Sequence, residues 1–164
     1  MKRSQITAQI FIYVIAIVLF SFILIYGYNA VRGFKEKSEQ ISYIKFKTDL
    51  VSTVDRISSD YGTLKREEFF IGGDYSNVCF VQNHLPSVNL AASIPDLIVR
   101  NSVESGVEKN VFLFTDGLQE SFDVGKINTN DNGYLCIPIV NGKAKIEFLG
   151  QGDHTFISKW VDLE

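Results

Sequence analysis

Residues 10–28 read IFIYVIAIVLFSFILIYGY, 19 residues from Ile10 to Tyr28 without a charge. The nearest charges, Arg3 and Arg32, bound an uncharged run of 28 residues from Ser4 to Val31. As a helix rising about 1.5 Å per residue, that run covers roughly 42 Å, against the ~30 Å hydrocarbon layer of a bilayer. A core helix of a soluble domain carries a polar stripe, and this stretch is apolar all round. The reading is one membrane-spanning helix over residues 4–31. A cleavable secretory signal has a shorter apolar core and a small-x-small site, which Tyr28-Asn29-Ala30-Val31-Arg32 does not supply. No second run of that length follows, which argues against a channel or transporter built by one chain.

Working outward toward the N-terminus, residues 1–3 form a short basic leader, Met1-Lys2-Arg3. Such a leader tends to stay in the cytoplasm. Arg32, Lys35, Lys37, Lys45 and Lys47 follow the span, so charge alone divides the vote. The brevity of the leader, and Tyr26 and Tyr28 at the far membrane interface, favour N-in, C-out. The expected location is the cell membrane, single-pass, with the C-terminal part outside.

Beyond the span, residues 32–61 read as an amphipathic helical extension. Proline is absent until Pro86, so nothing obliges the helix to stop at the membrane. Val31, Phe34, Ile41, Ile44, Val51, Val54 and Ile57 recur at mostly helical spacing, with lysines and acids between them. This stripe has two ways to be buried: against other copies of the chain, or under its own C-terminal domain. Gly62 is the expected stop.

Residues 62–164 read as a β-rich head. Thr63 to Ile71 and Asn77 to Gln82 have strand character, and Ile94-Pro95-Asp96 opens a short helix to Glu104 with Ser93 as candidate cap. Asp116-Gly117 and Asn141-Gly142 each lie between strand-like runs and predict two-residue hairpin turns. His154 to Trp160 supplies a last strand. The expected class is α+β: a long helix, then six or seven antiparallel strands with one short helix among them.

Charge is unevenly divided. Residues 1–59 carry a net +4 and residues 60–164 a net −7. An acidic head argues against nucleic acid as a partner, because phosphate contacts need clustered positive charge. His84 and His154, the two histidines, stand beside no nucleophile motif, and no enzyme, cofactor or small-molecule-substrate signature is evident. Catalytic, metal and cofactor residues are therefore expected to be none. Asn128-Thr129-Asn130-Asp131-Asn132-Gly133 has the spacing of a calcium loop. Asn occupies position 1, however, and Ile139 position 12, where a bidentate Glu is needed, so a polar turn is expected. Cys79 and Cys136 sit mid-strand among apolar neighbours and can be a disulfide or two buried thiols. Pro138 places its strand at an edge or bulge.

The layout resembles a type IV pilin of the archaeal kind. The matching features are the leader Lys2-Arg3-Ser4, the charge-free helix from Gln5, its amphipathic continuation and the β-rich head. Gln9-Ile10-Phe11-Ile12-Tyr13 is also similar to the anchors of archaeal single-span membrane proteins. The resemblance implies a leader-peptidase cut between Ser4 and Gln5, although Ser4 stands where the family has Gly or Ala and Gln9 where it has Glu. It also implies a structural subunit that self-associates through its helix into a surface filament or pseudopilus. The alternative is a monomeric, single-pass anchored binding module at the surface.

Overall fold

Helix α1 runs Arg3–Ser58, 56 residues without a proline to interrupt it. It belongs to a computed structural model that describes residues 3–72, 74–83, 90, 94–130 and 132–160, with side chains given from residue 10 onward except 35 and 36. The chain divides into two compact units, Met1–Glu39 and Gln40–Glu164. The first is helix throughout its described length. The second begins inside α1 and takes in the C-terminal part of that helix together with the strands.

The second unit holds eight strands among the described residues: β1 Leu64–Phe70, β2 Asn77–Val81, β3 Val111–Phe114, β4 Leu118–Phe122, β5 Ile127–Thr129, β6 Tyr134–Pro138, β7 Lys143–Gly150 and β8 Thr155–Lys159. They form two four-stranded sheets, ordered β1-β7-β8-β5 and β4-β3-β2-β6. The class is α+β. Pairing is antiparallel except between β5 and β8, which run parallel with Ile127 opposite Thr155. That three-residue strand accounts for the excess over six or seven; Asn128-Thr129 reads as turn in sequence because its asparagine-rich neighbours mask it.

Strand alternation decides what is buried. On β7, Ala144, Ile146 and Phe148 face inward while Lys143, Lys145 and Glu147 face outward. On β2 both faces are covered. Val78 and Phe80 join the main core, and Cys79 and Val81 pack with Phe112, Ile94 and Val99 beneath helix α2, Leu97–Glu104. The main core draws on both sheets and on Phe46, Leu50, Val54 and Ile57 of α1. Fully burying each such side chain stabilises by about 1.5–3 kcal/mol.

The helix ends where the head requires it. The Gly62 N–H donates to the Gly150 carbonyl at 2.8 Å, and Gly62 takes φ +81°. Gly150 has no room for a side chain: a Cβ there would fall 2.0 Å from the Asp60 carbonyl oxygen and 2.3 Å from that of Ile57. For α2, Asp96 rather than Ser93 is the cap, its carboxylate accepting from the Ile98 and Val99 amides at 2.9 and 3.0 Å. Ser93 lies outside the described residues.

Of the two expected hairpin turns, one has the wrong geometry and the other joins the wrong partners. The connection from β3 to β4 is three residues, Thr115-Asp116-Gly117, with Phe114 opposite Leu118. Neither Asp116 nor Gly117 has positive φ. A register shift between Leu113 and Phe114 lengthens the turn. Asn141 and Gly142 do take φ of 54° and 73°, as a type I′ turn demands. They nevertheless join β6 and β7, which belong to different sheets, so the turn closes one Val140–Lys143 bridge at a corner rather than a hairpin. β6 lies at a sheet edge, with Pro138 as its last residue.

Candidate membrane-spanning and assembly helix

Among the described residues one helix is long and apolar enough to cross a membrane, and it lies near the N-terminus. From Ile10 to Tyr28 no side chain is charged and none is buried. Ser21 turns its hydroxyl back onto the Ile17 carbonyl at 2.8 Å, which satisfies the one aliphatic hydroxyl between Ile10 and Tyr28. Ser4 and Gln5 lie in α1, with their side chains outside those described.

The seven residues of the expected stripe divide into two groups. Val54 and Ile57 are buried in the head and Val51 is half-buried against the same core. Val31, Phe34, Ile41 and Ile44 are exposed, Phe34 at 80% and Ile41 at 66%. At 3.6 residues per turn, Ile41 sits about 140–180° round α1 from Phe46, Leu50, Val54 and Ile57, while Ile44 lies on the flank, about 80° from Val54. One stripe in sequence is thus two faces in space. Sequence reasoning passed over Phe46 and Leu50, which are fully buried. Their spacing of four to each other and to Val54 was the available signal.

Several contacts fix the head-bound face. Phe46 meets Phe69 of β1 and Phe122 of β4 edge-on, at ring separations of 5.8 and 6.0 Å. The Thr53 hydroxyl donates to the Glu67 carboxylate at 3.3 Å, and the Thr155 hydroxyl of β8 donates to the Val54 carbonyl at 3.0 Å. Tyr43 donates to Glu120 at 3.4 Å. Burial, and then the adjacent Glu120 carboxylate, push the Tyr43 phenol up to about 12, so it stays a neutral donor at ordinary pH.

The remaining sequence candidates lie apart from one another. Cys79 and Cys136 are direct partners in the β2–β6 ladder and form a disulfide, with Cα atoms 4.0 Å apart. The sequence left disulfide and thiols open, and the register decides for the former. His154 pairs through Nδ1 with Asp153 at 2.6 Å, with Nε2 3.4 Å from the Asn128 amide. His84 is outside the described residues, as is Asp131 of the calcium-like run. That run begins in β5 and closes with the Gly133 N–H on the Asn130 carbonyl at 2.9 Å. No group of three or more histidine, cysteine or acidic side chains placed to hold a metal occurs among the described residues. Comparison with protein families, with curated proteins and with solved structures finds no match to this chain.

Proposed function

We propose that this protein is a structural, membrane-anchored, pilin-like subunit that assembles through α1 into a surface filament or pseudopilus, with its head outside the cytoplasm. One observation carries the reading. The head uses one face of α1 for its core, and Ile41, on the opposite face, and Ile44, on its flank, remain exposed, as Phe34 and Val31 do. A bilayer anchor needs only about 20 apolar residues, and the stretch to Tyr28 provides them. Apolar side chains beyond the anchor that the chain itself does not cover mark an interface, and copies of the same helix are the partner such a face fits. The disulfide agrees with an oxidising compartment for the head.

A second reading keeps the anchor and the head and omits assembly: a monomeric surface binding module. The burial of Val54 and Ile57 in their own head favours it, because that part of the stripe is explained without a second copy.

Size measurement of the full chain in mild detergent, with negative-stain microscopy, separates the two. The assembly reading expects oligomers or filaments that Phe34→Ser, Ile41→Ser and Ile44→Ser together abolish. All three side chains are exposed, so the head should keep its melting temperature. A wild-type chain that stays monomeric at every concentration and in lipid establishes the binding-module reading instead.

A further inference from the structure

A contact in which two copies present the same surface closes on itself as a dimer, whereas an open filament needs two unlike surfaces that meet. Ile41 and Ile44, exposed on α1, supply one surface. The outer face of the sheet β1-β7-β8-β5 supplies another. On that sheet Ala144, Ile146, Phe148 and Ile157 point into the core, so the alternate positions point outward. Leu64 stands opposite Leu149, and Leu149 opposite Phe156, which lines up three apolar side chains across three strands. Leu64 is 54% exposed, and Leu149 and Phe156 are half-buried. Tyr61, 81% exposed, extends the row at the β7–β8 turn, where its ring lies 3.8 Å from the place a Cβ on Gly152 would take. The next row on the same face is polar and self-contained. Arg66 pairs with Glu147 at 2.6 Å, and the Ser158 hydroxyl donates to the same carboxylate at 3.2 Å.

Charge selects the occupant of this row. Residues 31–48 of α1 carry five basic against two acidic side chains, a net +3 that ion pairs inside the segment leave unchanged. Residues 60–164 carry 8 basic against 15 acidic, a net −7, and Asp60 stands exposed beside Tyr61. Copies anchored in one membrane run their helices in the same direction. Helix on helix suits the uncharged stretch from Ile10 to Tyr28, but beyond it sets one +3 segment against another. Like charges brought together oppose association, and the helix of one copy against the head of the next joins opposite signs. We infer that the row Leu64, Leu149 and Phe156, with Tyr61, receives the Ile41 and Ile44 side chains of a second copy. The inference rests on the assembly reading and names the surface that α1 meets past the membrane. It makes the contact heterologous, so each copy offers its helix to one neighbour and its row to another.

Two full-length variants separate the surfaces. Ile41→Asp with Ile44→Asp spoils the helix side, and Tyr61→Lys with Leu64→Lys spoils the row. All four side chains are exposed, so both heads should keep the wild-type melting temperature. Should the row variant melt early, Leu64→Lys alone repeats the test. Size is read by light scattering on protein in mild detergent. Neither variant alone should form the wild-type oligomers. Mixed in equal amounts they should form a one-to-one complex and stop there, because one keeps an intact row and the other an intact helix face. A row variant that assembles like the wild type, or a mixture that yields no complex, overturns the inference and leaves assembly through α1 standing. A wild-type chain that is monomeric at every concentration and in lipid overturns both.

Discussion

The ring of Phe46 stands edge-on to that of Phe122, 6.0 Å between centres and 82° between planes. This pair ties α1 to β4, at an edge of one sheet, while the contact of Phe46 with Phe69 ties it to β1, at an edge of the other. The helix residue is therefore shared by both sheets, and α1 past Gln40 is a structural part of the head.

Phe46→Ala should cost the head about 3–5 kcal/mol, as for other large aromatic truncations in a packed core. Ile41→Ala, less than two turns away on the exposed face, should stay within about 0.5 kcal/mol. Urea unfolding of the full chain in detergent, followed by Trp160 emission, measures both. Equal losses would show that Ile41 is covered within the chain, contrary to its exposure.

The two Gly-containing turns should respond differently to the same change. Asn141→Val with Gly142→Val should destabilise by more than about 1 kcal/mol, because both positions need positive φ and a Gly142 Cβ already lies 3.3 Å from the Phe70 ring. Asp116→Val with Gly117→Val should cost less than about 0.5 kcal/mol, since Gly117 has an ordinary φ and open space around it. Thermal melting of the two double variants side by side gives the comparison, and a reversed order would mean that the turn assignments are exchanged.

Cys79 and Cys136 close a loop with a sequence separation of 57. Replacing both by alanine should lower stability by about 2–4 kcal/mol through the added freedom of the unfolded chain. In protein taken from cells with thiols trapped at lysis, alkylation should label neither cysteine until a reductant is added. Full labelling without reductant would place the head in a reducing compartment and reverse the proposed orientation.

The membrane-length run, the α+β division and the Asn141-Gly142 conformation were all legible in sequence, because each rests on local chemistry: uninterrupted apolarity, a change of period, and a dipeptide suited to positive φ. What escaped depended on partners distant in sequence. Phe46 and Leu50 differ from Ile41 and Ile44 only in which side of α1 they occupy, and that distinction needs the sheets in place. β5 earns its strand state by pairing with β8 across 28 residues, from Ile127 to Thr155, with no alternating pattern of its own. Asp116-Gly117 carries the sequence of a tight turn, and a shift in strand register overrides it.

The hydrogen bond from Thr155 to the Val54 carbonyl spans 101 residues, and β1 finds its partner β7 only after residue 143. During synthesis the ribosome therefore delivers the membrane-length helix first and the strands that complete the helix's core last. Phe46, Leu50, Val54 and Ile57 emerge early and wait for nearly the whole chain before they can be covered. At about 5–20 residues per second that wait is of the order of 5–20 s, far longer than a helix needs to form. Throughout that interval the nascent protein is a membrane-length apolar helix continued by a still sticky helical face, and its biogenesis depends on whatever keeps that face from neighbouring chains until β8 arrives.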